Sequence, residues 1–151
     1  MSEIANIVDQ LKRIYEGDAW HGPALRELLA DVSVERAAAR PIAGAHSIWE
    51  IVLHIAAWEN VFRRRLEGHP ADEPEEGDFP PMVETSQEAW TQSLAKLDGA
   101  QEQLLKAVSL LPEARFQETV VGEDYSIRFM LDGIIRHNVY HTGQIALLKK
   151  A

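Results

Sequence analysis

The chain of 151 residues is long enough for a buried core, and its 46% hydrophobic and 26% charged residues are typical of a globular protein. Its net charge of −9 argues against a protein that binds nucleic acid or an anionic membrane surface through positive charge. The absence of cysteine excludes disulfides, iron–sulfur clusters and cysteine-ligated zinc. Any metal ion must therefore be held by histidine, carboxylate or water, and any thiol chemistry needs a thiol from a small molecule.

The N-terminal segment has none of the features of an export signal. The stretch MSEIANIVDQLKR is amphipathic and carries charge early, so it lacks the apolar core of a signal peptide. No apolar run approaches the ~20 residues that a membrane-spanning helix needs. We therefore expect a cytoplasmic protein in which residues 1–151 form a single domain.

The first part of the chain predicts one amphipathic helix and a broken segment after it. Apolar residues at helical spacing indicate a helix from about Ile4 to Tyr15, which Gly17 ends or bends. In the segment that follows, Ser33 is positioned to cap a short turn that Pro41 stops.

The next helix has a clearer beginning. Ser47 and Glu50 form a capping-box pattern, in which the serine oxygen and the glutamate three residues later satisfy each other's free backbone amides. A broad apolar face begins at Ile48, and it predicts a helix that runs to about Leu66.

The composition changes sharply after this helix. The stretch EGHPADEPEEGD, residues 67–78, contains six acidic residues and no lysine or arginine, and four of the seven prolines lie at positions 70 to 81. Such a segment buries too little apolar surface to offset the entropy of ordering it. We therefore predict an acidic, proline-rich loop over about residues 67–82 that acts as a solvated connector, with an acidic binding tail as the alternative.

Two long helices are predicted in the remainder of the chain. Thr85 and Glu88 form a second capping-box pattern, after which apolar residues indicate a helix that Pro112 ends. Residues 113–125 are expected to be irregular, and Ser126 is positioned to cap a final helix that runs to the C-terminus. Four long amphipathic helices with one long connector predict an all-α four-helix bundle.

The final helix places two histidines, His137 and His141, four residues apart in one row of its surface. Such a step separates the side chains by about 6 Å along the helix axis, so both imidazoles can bind one ion. Burying them costs free energy unless their nitrogens find partners. The other members of the row are all apolar, namely Met130, Ile134, Ile145 and Leu148.

His54 occupies a similar position in the helix that begins after Ser47, on a mostly apolar face. Any one of the three histidines, taken alone, is most simply a hydrogen-bonded core residue. If the two helices face each other, however, three imidazoles converge and leave coordination positions open for water or substrate. That arrangement is typical of a catalytic zinc or related site, so the pattern favours a metal site.

Two residues close to these histidines are further candidates. Glu50 is a fourth ligand, a general base, or only the partner of Ser47 in the capping box. Tyr140 either contacts a ligand or packs at the bundle surface, and it is, like Glu50, a candidate for proton transfer in catalysis. The roles of His21 and His46, which border helix breaks, are left open.

The stretches HSIWEIVLHIAAWE and HNVYHTGQIALLKK together resemble the DinB-like (DinB/YfiT) superfamily, and the resemblance covers nearly the whole chain. Members of that family are four-helix bundles of the up-down-down-up type and are often homodimeric. They typically bind a divalent ion, nickel or zinc, through three histidines. Carried onto this sequence, the resemblance implies that the ligands are His54, His137 and His141.

The resemblance implies more than one kind of activity. Some relatives are thiol-dependent enzymes, including bacillithiol S-transferases and mycothiol-dependent maleylpyruvate isomerases, and others are described as metal-dependent hydrolases. We therefore expect a metal-dependent transferase or hydrolase that acts on a small molecule, with a low-molecular-weight thiol as one candidate cosubstrate. The alternative is a non-catalytic, stress-related dimeric bundle that binds a metal ion or a small ligand.

Overall fold

Six α-helices and one 3₁₀ turn make up the regular structure of the protein, which a computed structural model describes over residues 1–151. The prediction of an all-α fold is confirmed, since the only strand-like pairing is an isolated bridge between Thr119 and Ser126. No helix combines the length and hydrophobicity that a membrane crossing requires. The α-helices are α1 (Glu3–Glu16), α2 (Leu25–Leu29), α3 (Val34–Ala38), α4 (Ile48–Leu66), α5 (Gln87–Ser109) and α6 (Ile127–Leu148).

A serine hydroxyl begins each of the four long helices by accepting a hydrogen bond from the backbone N–H three residues later. The predicted box at Ser47 is confirmed, because the Ser47 N–H also donates to Glu50 Oε2 at 2.7 Å. These bonds satisfy amides of the first helical turn that have no partner within the helix. The four caps are Ser2, Ser47, Ser86 and Ser126.

The capping box predicted at Thr85 is wrong by one residue. Ser86 is the cap of α5, and its hydroxyl accepts from the Ala89 N–H at 3.1 Å. Glu88 is therefore the second residue of the helix rather than the third. Thr85 and Ser86 both carry a hydroxyl group, so the sequence pattern is compatible with a helix that begins after either residue.

Contacts between the long helices define an up-down-down-up bundle. Trp49 Nε1 donates to Ser93 Oγ at 2.9 Å, so the N-terminal halves of α4 and α5 lie side by side and the two helices run parallel. At the other end of α4, Arg65 Nη1 donates to the Tyr125 hydroxyl at 2.8 Å, just before α6 begins. Helix α6 therefore runs antiparallel to α4.

Helix α1 closes the bundle against α5 and α6. Gln101 Nε2 donates to the Leu11 carbonyl at 3.2 Å, and Tyr15, one turn further along α1, donates to Asp98, one turn earlier in α5. These two contacts show that α1 and α5 are antiparallel. Helix α1 is consequently parallel to α6.

The hydrophobic core consists of two clusters at opposite ends of the bundle. A cluster of 16 buried residues surrounds Trp49 and Trp90, and a cluster of 13 surrounds Leu104. Between them lies a layer of buried polar side chains, which we call the polar layer. Its members are His54 and Glu59 of α4, Gln101 of α5, and Asn138, His141 and Thr142 of α6.

The acidic loop predicted at about residues 67–82 is observed between α4 and α5, where residues 67–86 contain no helix or strand. It is nevertheless held against the bundle. The Arg65 guanidinium donates to the carbonyls of Ala71 and Asp72, at 2.7 and 2.8 Å, and Pro74 and Pro80 are buried. The loop is thereby fixed against the bundle at more than one point along its length.

Replacement of a leucine in the smaller cluster tests the described core. We expect Leu104→Ala to lower the free energy of unfolding by about 2–5 kcal/mol, because the fully buried side chain leaves a cavity. Leu110→Ala is the matched control, since Leu110 is 72% exposed and its loss should change stability by less than about 0.5 kcal/mol. Urea denaturation measures both, and equal effects would contradict the assignment.

Candidate metal centre

Three imidazole rings meet at the polar layer, namely its members His54 and His141 and the half-buried His137. His54 Nε2 lies 3.1 Å from His137 Nε2 and 2.9 Å from His141 Nε2. Within the group of three, the nitrogens that face inward all lie within 4.8 Å of one another. The structure therefore brings together the three histidines that the sequence pattern singled out, and it does so without any other His, Asp or Glu in the group.

The antiparallel packing of α4 and α6 places these rings. His137 and His141 lie one turn apart on α6, with ring centroids 4.5 Å apart, and His54 approaches them from α4. His54 and His141 are buried, whereas His137 is half-buried. The prediction that the row of α6 containing His137 and His141 faces the interior of the bundle is therefore confirmed.

The outer nitrogen of each ring faces an oxygen atom. An Nδ1–H that donates to oxygen leaves the lone pair on Nε2, so these contacts select the tautomer in which all three Nε2 atoms are free to bind. The acceptors are the Asp78 carbonyl for His54 (2.6 Å), Asn138 Oδ1 for His137 (3.2 Å) and Gln144 Oε1 for His141 (2.6 Å).

This arrangement fits a divalent cation. In the selected tautomer, three Nε2 lone pairs face one another with no hydrogen between them. Burial lowers the pKa of all three histidines, and for His137, with His141 as a second cause, it lowers the pKa to about 4. Protonation therefore supplies no donor near neutral pH, whereas a metal ion bound by three neutral imidazoles satisfies every nitrogen.

A cavity of about 500 Å³ opens beside the three rings, which is within the usual range for small-molecule sites. Aromatic side chains form most of its wall, and a carboxylate and an amide provide the polar groups. Besides the three histidines, the lining residues are Trp58, Phe62, Asp78, Phe79, Tyr140 and Gln144.

Asp78 and Phe79, near the end of the acidic loop, form part of this site, although the composition of the loop predicts a solvated connector. The Phe79 ring stacks on His54 with centroids 4.0 Å apart, and on its other face it stacks on His46 at 3.7 Å. The Trp58 indole N–H donates to Asp78 Oδ1 at 2.7 Å. The sequence does contain an indication of this role, because Phe79 is the one Phe, Tyr or Trp residue in the acidic loop over residues 67–82.

Glu50 completes the cap of α4 and pairs with Arg40, and it is absent from the cavity wall. Burial acts to raise the pKa of Glu50, but hydrogen bonds from Arg40 and Ser47 outweigh it and the pKa is lowered. The capping interpretation is confirmed. The structure does not bring Glu50 to the three histidines, and its role as a ligand or base stays a prediction.

Tyr140 lies on the cavity wall, 65% exposed, with its ring centroid 5.1 Å from that of His141. Its role in proton transfer also stays a prediction. Of the two histidines with open roles, His46 packs against Phe79, whereas His21 is exposed before α2.

Comparison with known families places this geometry in context. The sequence profile of the DinB superfamily matches residues 18–145. The protein belongs to the DinB superfamily. Comparison with curated proteins and with solved structures gives no match. Family membership agrees with the fold and with the resemblance seen in the two histidine-containing helices.

One buried acid of this DinB-superfamily protein was missed by the sequence analysis. Glu59 is fully buried in the polar layer, where its Oε1 accepts from Asn138 Nδ2 at 2.9 Å and its Oε2 has no partner. Burial raises the pKa of Glu59 to about 8, so the group is an uncharged acid at neutral pH. The sequence does contain an indication that Glu59 is buried, since it continues the apolar row of Val52 and Ile55 on one face of α4.

The raised pKa of Glu59 predicts a dependence of stability on pH. The unfolded chain releases this proton near pH 4.5 and the folded protein near pH 8, so folding binds a proton between these values and becomes less favourable as the pH rises. The stability of Glu59→Gln relative to the unmodified protein should therefore increase between pH 4.5 and 8, by up to roughly 1.4 kcal/mol per pH unit.

Urea denaturation of metal-free protein at several pH values measures this difference. Glu84→Gln is the control, because Glu84 is exposed and its replacement should give a difference that is nearly independent of pH. A difference for Glu59→Gln that is just as flat would contradict the assigned protonation state.

Proposed function

We propose that this DinB-superfamily protein is an enzyme that binds a divalent metal ion, nickel or zinc, through His54, His137 and His141. We propose that it acts on a small molecule, either as a thiol-dependent S-transferase or as a hydrolase. The observation that carries the proposal is the convergence of three imidazole Nε2 atoms beside an open, aromatic-walled cavity.

The donor set supports a reactive site rather than a purely structural one. Structural zinc sites usually have four protein ligands, whereas reactive sites have three and leave a position for water or substrate. The Asp78 carboxylate lies 3.4 Å from Nδ1 of His54, which is the nitrogen that faces away from the centre. It is therefore not a fourth member of the inward-facing group.

A divalent ion held there would lower the pKa of a bound water molecule or thiol. Residues of the chain itself would contact the substrate and transfer protons. The Trp58, Phe62 and Phe79 rings offer apolar surface to a substrate, and the Tyr140 hydroxyl is available for proton transfer from the exposed side of the cavity. Because the chain has no cysteine, a thiol nucleophile would come from a small-molecule cosubstrate.

The cavity favours an enzyme over the non-catalytic alternative, because a metal that only stabilised the bundle would not need an open space beside it. All three histidines come from one chain, so the ligand set does not depend on a second copy. A cytoplasmic homodimer remains part of the proposal. Sedimentation velocity tests the dimer directly.

Metal retention tests the ligand assignment. We expect protein loaded with zinc or nickel and then dialysed to retain about one ion per chain by elemental analysis. His137→Ala should abolish this retention because two imidazoles remain. His69→Ala is the control, since His69 is exposed in the acidic loop and its loss should leave retention unchanged. Retention by the His137 variant would show that the triad is wrong.

An activity screen tests the enzyme proposal and separates its two forms. The nickel- or zinc-loaded protein is assayed with a panel of low-molecular-weight thiols and an aromatic electrophile, and with activated esters in the absence of thiol. We expect metal-dependent turnover in one assay, which His137→Ala abolishes. A blank in both assays with metal fully retained would favour the binding protein and contradict the enzyme.

A further inference from the structure

A chain of hydrogen bonds connects a buried acid to one of the three histidines. Glu59 Oε1 accepts from Asn138 Nδ2 at 2.9 Å, and Asn138 Oδ1 faces His137 Nδ1 at 3.2 Å. Glu59 is fully buried and Asn138 is 3% exposed, so water does not compete readily for these bonds. The acid lies outside the cavity wall, and its side chain makes no hydrogen bond to His54, His137 or His141.

We infer that Glu59 acts through Asn138 as a positioning residue for His137, by fixing which face of the Asn138 amide is turned toward the imidazole. This inference rests on the proposed function, because its consequence is that His137 keeps the Nδ1–H tautomer and presents a free Nε2 lone pair to a metal ion.

The asymmetry of the Asn138 amide gives Glu59 this control. The two ends of a side-chain amide have nearly the same shape, but one end only donates and the other only accepts hydrogen bonds. Glu59 Oε1 is the oxygen that accepts from the donating Nδ2 end, and Oε2, which has no partner, is the oxygen left to carry the proton of the uncharged acid. The accepting Oδ1 end is then directed at His137.

Reversal of the amide would change the tautomer of His137. With Nδ2 turned toward the ring, Nδ1 would have to accept, and the ring hydrogen would move to Nε2. An Nε2 that carries hydrogen cannot bind a metal ion. Without an acceptor at position 59, the unreversed amide would leave its Nδ2 group buried without a partner, which costs free energy. The reversed amide would regain a partner for Nδ2 at His137 Nδ1, so the reversal would be favoured.

The backbone of Asn138 is fixed independently of Glu59. The Thr142 hydroxyl donates to the Asn138 carbonyl at 2.7 Å, within α6, so loss of the acid should turn the amide without moving the helix. The same tautomer at His54 is set by a backbone carbonyl, that of Asp78, which cannot reverse. His137 is therefore the ligand whose tautomer depends on a buried carboxyl group.

The experiment compares three variants of the 151-residue chain. Glu59→Leu removes the acceptor and keeps similar volume, and Glu59→Gln keeps an acceptor oxygen. Gln101→Leu is the matched control, because Gln101 is a buried member of the same polar layer that bonds to the Leu11 carbonyl and not to α6. Should Glu59→Leu fail to fold, Asn138→Leu breaks the same connection from its other end.

Two readouts are used for each variant. The first is the dissociation constant for zinc alone, measured by competition with a chromophoric chelator. The second is the tautomer of His137 in metal-free protein, read from long-range ¹H–¹⁵N correlations of the imidazole nitrogens. The second readout does not require metal binding, so it tests the inference even if the wild-type protein binds no zinc and the proposed function fails.

We expect Glu59→Leu to weaken zinc binding by about 10- to 100-fold and to move His137 toward the Nε2–H tautomer. Glu59→Gln should bind zinc within about threefold of the unmodified protein, since an acceptor is what matters. Gln101→Leu should lose stability but keep both the affinity and the tautomer. Unchanged affinity and tautomer in Glu59→Leu would overturn the inference, and so would a loss in Glu59→Gln as large as that in Glu59→Leu.

Discussion

The need to satisfy buried polar groups in the middle of the bundle is the constraint on which the rest of the structure depends. Two hydrophobic clusters hold the ends of the long helices together, and the polar layer lies between them. An unpaired polar atom there costs roughly 1–3 kcal/mol, and the side chains of the layer accordingly have partners, with Glu59 Oε2 and Gln101 Oε1 as the atoms left without one. Contacts of His54 and Glu59 on α4 with His137, His141 and Asn138 on α6 join the two helices in the middle of the bundle, and the open side of the layer is the candidate site.

Much of this arrangement could be predicted from local pattern. Apolar spacing and serine caps define the long helices, because helix formation and capping depend on residues within a few positions of each other. The convergence of His54 with His137 and His141 could also be predicted, since each stands on an apolar face that must turn inward. Family membership agrees with that prediction but does not identify the metal or the reaction.

The sequence did not reveal the parts of the site that depend on long-range packing. Asp78 ends and Phe79 follows a stretch whose composition indicates a solvated loop, and long-range contacts of Arg65 with the loop carbonyls and of Phe79 with His54 hold it against the bundle. Glu59 was missed because a single acid in an apolar row is usually solvent-exposed at the edge of a helix face. Its burial depends on Asn138 of α6, 79 residues away in the sequence.

X-ray absorption spectroscopy of the zinc-loaded protein tests the central claim most directly, that the imidazoles of His54, His137 and His141 hold a metal ion and leave part of its coordination sphere open. We expect three histidine nitrogens at about 2.0–2.1 Å, identified by imidazole multiple scattering, together with at least one further light-atom ligand from solvent. A first shell made mainly of oxygen, with one imidazole or none, would contradict it.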